Sequence, residues 1–163
     1  GFERQLKTHV QITKMFGDYR LSLHSGSDKY SIYKSFSSLN NGNYHIKTAG
    51  TSYLEALRTI TGTDHELFRE IFALSLESFE KDRDSYHLTT DVSKLKDIDE
   101  VDDKNLGNYL DRAESRQILH VAFGSILTNR TIKERLYNKL YNNEVLHYKY
   151  VKDNIKRHLD YLV

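Results

Sequence analysis

The sequence predicts an α/β fold in which two short parallel strands sit in an otherwise helical chain. Three observations carry this. Hydrophobic spacing changes from helical to alternating at two places, Tyr19–His24 and Tyr44–Lys47. A helical stretch separates the two, so their connection is a crossover and the strands run parallel. The 163 residues contain no proline, which favours uninterrupted helices against an average usage of about 5%. Parallel sheets normally have more than two strands and are covered on both faces. The chain therefore reads as the C-terminal portion of a longer α/β protein; it opens with Gly1 rather than Met.

Each element has its own signal. Over residues 2–16, Phe2, Leu6 and Val10 recur at four-residue spacing, and Gly17 is a left-handed stop. In the first strand, about 19–24, Leu21 and Leu23 share one face and Arg20, Ser22 and His24 the other. Ser25-Gly26-Ser27 makes a turn, and Asp28 opens a helix to about Leu39. After the loop "NNGN" (40–43), the second strand, 44–47, puts Tyr44 and Ile46 on one face, His45 and Lys47 on the other. A helix from about Gly50 to Gly62 carries Ser52 and Glu55 at capping-box spacing. Thr63 with Glu66 suggests a second capping box, opening a long helix to about Arg83 with the stripe Leu67, Phe68, Ile71, Phe72, Leu74 and Phe79. "DIDEVDD" (97–103) reads as a solvated acidic loop. Helices follow at about 104–112, 115–127, 131–142 and 144–162, the third with Thr131 and Glu134 as another capping box. Residues 1–62 thus hold the strand-helix units and 63–163 a helical extension packed on them.

Composition excludes some functions. With no cysteine, disulfide and thiolate chemistry are ruled out, and cytoplasmic localisation is expected. Net charge is +1, so no global field selects nucleic acid or a membrane surface, and no apolar run reaches the ~18 residues of a span. From Arg130 the chain is basic and tyrosine-rich, with eight Lys/Arg against four Asp/Glu. Interleaved aromatics and bases suit stacking on nucleic acid. Leu136, Leu140, Tyr137 and Tyr141 at four-residue spacing instead suit the packing face of a helical hairpin, and that reading is preferred. A non-catalytic interaction or dimerisation module is a further alternative. His87 and His120 read as packed or surface histidines, and Asp82, Arg83 and Asp84 as a solvated helix end.

The chemistry is concentrated at the two strand ends. Ligands of α/β proteins bind where strands end and helices begin. His24 and His45 occupy matching strand tips, Lys47 follows the second, and Asp28 and Lys29 stand where the first turn enters its helix. Gly26 and Gly50 allow close backbone approach. Two imidazoles suit a zinc, nickel or iron ion, and with a carboxylate also manganese. A structural pair of histidines, with Asp28 as an N-cap, exposed lysines and glycines that only make turns, fits the same residues.

The stretches "LSLHSGSDKYSIY" and "HIKTAGTSYLEALR" resemble the tagaturonate epimerase family, also called tagaturonate/fructuronate epimerases. The likeness continues through "LFREIFALSLESFEKDRDSYHL" and "HVAFGSIL", from about His9 to Val121. It implies the C-terminal part of a TIM-barrel-like (β/α) fold and a divalent-metal-dependent isomerase that interconverts D-tagaturonate and D-fructuronate. The epimerised carbon lies β to the ketone, so its hydrogen is not acidified. Retro-aldol cleavage between the α and β carbons, rotation of the aldehyde and re-formation of the bond invert it. No G-x-G-x-x-G fingerprint supports a hydride route. The resemblance makes His24 and His45 metal ligands, and Lys47 and Lys29 cations for the substrate carboxylate or the enediolate. It makes Asp28 an orienting carboxylate, and Ser25, Ser27, Thr48 and Thr51 hydrogen-bond partners of sugar hydroxyls, with Gly50 beside them. No acid/base residue is assigned. The expected partners are the hexuronate ketose and either the missing N-terminal part of the protein or a second copy, with no nucleic acid or membrane. Alone, the chain is expected to be inactive.

Overall fold

A computed structural model describes residues 1–17, 19–24, 30–48, 51–85, 95 and 97–162. The chain divides into two compact units, Gly1–Ala49 with Asp153–Val163, and Gly50–Lys152.

In the first unit, α1 (Phe2–Met15) ends at a turn in which Gly17 takes φ +95°, a left-handed value that glycine adopts without a Cβ clash. Strand β1 (Leu21–His24) follows, then α2 (Tyr30–Asn40) and β2 (Tyr44–Lys47). The strands are parallel, in the register Leu21↔Tyr44, Ser22↔His45, Leu23↔Ile46 and His24↔Lys47. β1 is shorter than the expected 19–24. Its partner starts at Tyr44, so nothing pairs with Tyr19 and Arg20, and the Tyr19 N–H turns back to the Gly17 carbonyl at 2.7 Å. A tight turn at Asn41 (φ +50°) and Gly42 (φ +75°), closed by Asn43 N–H to the Asn40 carbonyl at 2.9 Å, reverses the chain into β2. Leu21, Leu23, Tyr44 and Ile46 pack on Leu6, Val10 and Phe36, so both helices cover one face of the strand pair.

The second unit is helical: α3 (Thr51–Thr61), α4 (His65–Asp82), α5 (Ala113–Val121), α6 (Phe123–Thr128), α7 (Arg130–Asn142) and the first half of α8 (Glu144–Asp160). Short 3-10 turns occupy Arg83–Ser85, Ile98–Glu100 and Asp103–Leu110. The α4 stripe lies inward, with Leu67, Phe68, Ile71 and Phe72 fully buried against Leu57, Ile60, Leu106, Leu110, Leu119 and Ile126. Among the described residues, no helix is long and apolar enough to cross a membrane.

The expected capping boxes are replaced. Asp64, not Thr63, caps α4 by accepting from Leu67 N–H at 3.0 Å, while the Thr63 hydroxyl donates to the Thr59 carbonyl. Asn129, not Thr131, caps α7 through Ile132 N–H at 3.1 Å. Ser52 lies inside the first turn of α3, and Glu55 is buried and accepts from Arg58 Nε at 3.1 Å. Asp and Asn are stronger N-caps than Thr, so the helix starts where the better acceptor stands. Nor is the acidic loop merely solvated. Ile98 is buried, and the Arg69 guanidinium donates to the Ile98 and Val101 carbonyls and to Asp103. The expected helix at 104–112 is 3-10, and the one at 115–127 breaks at Ala122 into α5 and α6. On α7, Leu136 is buried, but Tyr137 and Tyr141 are 55% and 81% exposed. One residue is ~100° of helix, so the tyrosines cannot share the leucine stripe.

Two predictions test this packing. Phe72→Ala is expected to lower stability by ~3–5 kcal/mol through the cavity it leaves, measured by urea denaturation. Asp64→Ala is expected to cost about 1 kcal/mol at pH 7, and Thr63→Ala less. Burial would raise the Asp64 pKa, but Leu67 N–H and Lys139 outweigh it and hold the carboxyl below its ordinary 3.8. A depressed pKa stabilises above the unfolded value and loses that stabilisation as pH falls through the folded one. The gap between wild type and Asp64→Ala should therefore shrink between pH 5 and pH 3 or lower, seen as converging urea midpoints.

Candidate functional site

Because side chains alternate along a strand, burying Leu21, Leu23, Tyr44 and Ile46 turns Ser22, His24, His45 and Lys47 to the other face. All four are exposed. Parallel pairing carries both strands to the same end, so His24 and Lys47 stand opposite each other at the carboxyl edge. His45 lies two pairs back, opposite Ser22, and its Nδ1 is 3.0 Å from Ser22 Oγ. Thr48 follows β2 and is exposed.

This corrects one expectation. The two histidines share a face but not matching tips, and Lys47 is the residue opposite His24. The register that brings Leu21 to Tyr44 decides it. Alternation alone does not, since Leu23 opposite Tyr44 would keep the same phase and align His45 with His24. Ser22 was placed on this face but given no role, and it is the residue that holds His45. Ser25, Ser27, Asp28, Lys29 and Gly50 lie outside the described residues, as does the side chain of Thr51.

With its Nδ1 engaged by a serine hydroxyl, His45 presents Nε2 to an incoming ligand, the arrangement in which an outer partner fixes ring orientation. His24 is on the same face, two register pairs away. The two imidazoles are nitrogen donors of the kind a divalent cation takes. Among the described residues, no group of three or more His, Asp or Glu is placed to hold an ion, and a catalytic zinc ordinarily takes three protein ligands.

Elsewhere, charge and burial are structural. Arg58 bridges Glu55 and Asp111, the latter at 2.7 Å. Burial and nearby Arg116 push the His120 pKa down. Burial also raises the Tyr53 phenol well above its usual range, and its ring packs edge-on against Phe123. In the basic C-terminal third, Arg130, Arg135, Lys139 and Lys156 each pair with a carboxylate.

Comparison with known proteins agrees with the motifs at the strand ends. A family model described as tagaturonate epimerase matches residues 1–162. The chain belongs to the tagaturonate epimerase family. A tagaturonate/fructuronate epimerase from Thermotoga maritima is 48% identical over 161 residues, which is 99% of this chain and 34% of that protein. The native crystal structure of fructuronate-tagaturonate epimerase UxaE from Cohnella laeviribosi superposes with a TM-score of 0.94 at 35% identity, over 99% of this chain and 34% of that one. A form of the same enzyme complexed with two glycerols gives the same TM-score at 34% identity. The chain thus spans about a third of the length of these epimerase relatives. The match extends past the expected His9–Val121 at both ends and takes in this chain's tyrosine-rich C-terminal helices.

Ser22→Ala should free the His45 ring. In the complete family protein, divalent-metal affinity is expected to fall by roughly 10- to 100-fold, as for other outer partners of a ligating histidine, with an unchanged circular dichroism spectrum. Metal titration checks it.

Proposed function

We propose that this chain forms part of a divalent-metal-dependent epimerase that interconverts D-tagaturonate and D-fructuronate by retro-aldol and aldol steps. In this reading β1 and β2 are strands of a TIM-barrel-like (β/α) sheet, and their open face belongs to the active site of a cytoplasmic enzyme. The observation that carries it is the face itself: His24 and Lys47 at the carboxyl end of a parallel strand pair, with Ser22 and His45 behind them on the same face, in a chain that matches the family almost end to end.

His24 and His45 would hold the cation, with further ligands from the rest of the protein. When bound, a divalent ion supplies Lewis acidity toward the ketone and α-hydroxyl oxygens. The chain's own residues do the rest. Ser22 fixes the His45 ring so that Nε2 is presented in one direction. Lys47, opposite His24, puts an ammonium beside the pair and can hold the substrate carboxylate by a charge-assisted hydrogen bond. Thr48 offers a hydroxyl to the sugar, and Ser25, Ser27, Lys29 and Thr51 retain the roles that the family resemblance gives them.

The chemistry balances without a co-reactant. A base takes the β-hydroxyl proton, the bond between the α and β carbons breaks, and an aldehyde and an enediolate remain. The aldehyde rotates, the enediolate carbon attacks its opposite face, and the proton returns to the new alkoxide. Holding the two fragments in place is essential, because release would end the cycle as cleavage rather than inversion.

His24→Ala or His45→Ala in the complete protein is expected to remove metal and tagaturonate turnover together while leaving the fold intact. Metal analysis and turnover assays decide it. Stoichiometric metal with near-normal turnover in both variants would return the histidines to structural roles.

A further inference from the structure

α2 has two working sides. Phe36 and Leu39 face the strands. Tyr30, Tyr33 and Ser37, at i, i+3 and i+7, form a different stripe, and each meets the end of the chain. Tyr33 is fully buried and its hydroxyl is 2.9 Å from His158 Nδ1; the Tyr30 hydroxyl is 3.4 Å from His158 Nε2. Tyr30 also stacks on Tyr161, with ring centroids 4.8 Å apart. The Ser37 hydroxyl donates to the Leu162 carbonyl at 2.8 Å. The same Ser37 oxygen accepts from the Tyr44 hydroxyl at 3.2 Å, and the Tyr44 ring stands edge-on to Phe36. Tyr44 is the first residue of β2, with its side chain on the inner face.

We propose that the segment from Asp153 to Leu162 is a positioning clamp for β2: His158 and Tyr161 hold α2, Leu162 holds Ser37, and Ser37 holds Tyr44. Residues next to each other in a strand point to opposite faces, so fixing Tyr44 inward sets the direction in which His45 and Lys47 point outward. The two ring nitrogens of His158 meet the two phenol hydroxyls of α2, one each. His158 and Ser37 are positioning residues that touch no reacting group. This inference rests on the proposed metal reading for its consequence at His45, and on the hydrogen-bond chain alone for its effect on the strand.

The test uses the complete protein with Ser37→Ala, Ser37→Thr, Tyr44→Phe and His158→Phe. Amide hydrogen exchange reports on β2, and Mn²⁺ titration followed by electron paramagnetic resonance reports on the open face. Losing one hydrogen bond of the chain is expected to speed exchange at residues 45–47 about three- to tenfold, leave the α4 amides unchanged, and weaken Mn²⁺ binding about tenfold. Ser37→Thr, which keeps the hydroxyl, should restore both. Tyr44→Phe, which removes a single oxygen, keeps the test valid if His158→Phe does not fold. Unchanged exchange at 45–47 in Ser37→Ala and Tyr44→Phe would overturn the clamp, and so would faster exchange with Mn²⁺ affinity intact. Absence of Mn²⁺ binding in the wild type would instead overturn the metal reading, and exchange at 45–47 would then decide the clamp by itself.

Discussion

The pairing of Leu21–His24 with Tyr44–Lys47 in a single parallel register governs the first unit. Its inner residues are fixed by packing on Leu6, Val10 and Phe36, which a one-residue slip of either strand would undo. Such a slip would turn His45 and Lys47 into the apolar layer and Tyr44 and Ile46 out to water. Burying a lysine ammonium without a partner costs far more than any hydrogen bond of the strand returns. The hydrophobic layer therefore selects which residues face outward, Ser22, His24, His45 and Lys47.

The helical unit depends on a different mixture of forces. Its centre is apolar and close-packed around α4, and two of the polar side chains drawn into it bond to the turn before them. Ser75 donates to the Ile71 carbonyl at 2.7 Å and Thr59 to the Glu55 carbonyl at 3.1 Å. The acidic stretch after residue 97 stays close to the core because Arg69 collects two carbonyls and a carboxylate with one guanidinium. Five donors in a rigid fork make arginine suited to that task, where a lysine would have only a point charge to offer.

Family membership and local geometry inform each other. The relatives of this chain are about three times its length, and the metal site proposed above would need more ligands than the two imidazoles of the open face. A site shared between distant parts of a polypeptide needs each part to hold its residues at a fixed angle. The hydrogen bonds from Leu162 through Ser37 to Tyr44 give this part such a support from within its own unit.

The sequence by itself determined the two strands, their parallel sense, most of the helices between and after them, and the residues of the strands' outward face, because hydrophobic period and residue parity are local properties. It also determined the family, because long motifs at the strand ends are local too. Only the tertiary structure decided the rest. Register put Lys47 opposite His24 and Ser22 against His45. Competition among neighbouring acceptors gave the caps to Asp64 and Asn129 rather than to threonines at capping-box spacing. The turn of α7 sent Leu136 inward and Tyr137 and Tyr141 outward. His158 met Tyr33 across 125 positions of chain. Each of these is a choice among partners that only three-dimensional packing brings within reach, and a one-dimensional pattern does not rank partners that distant.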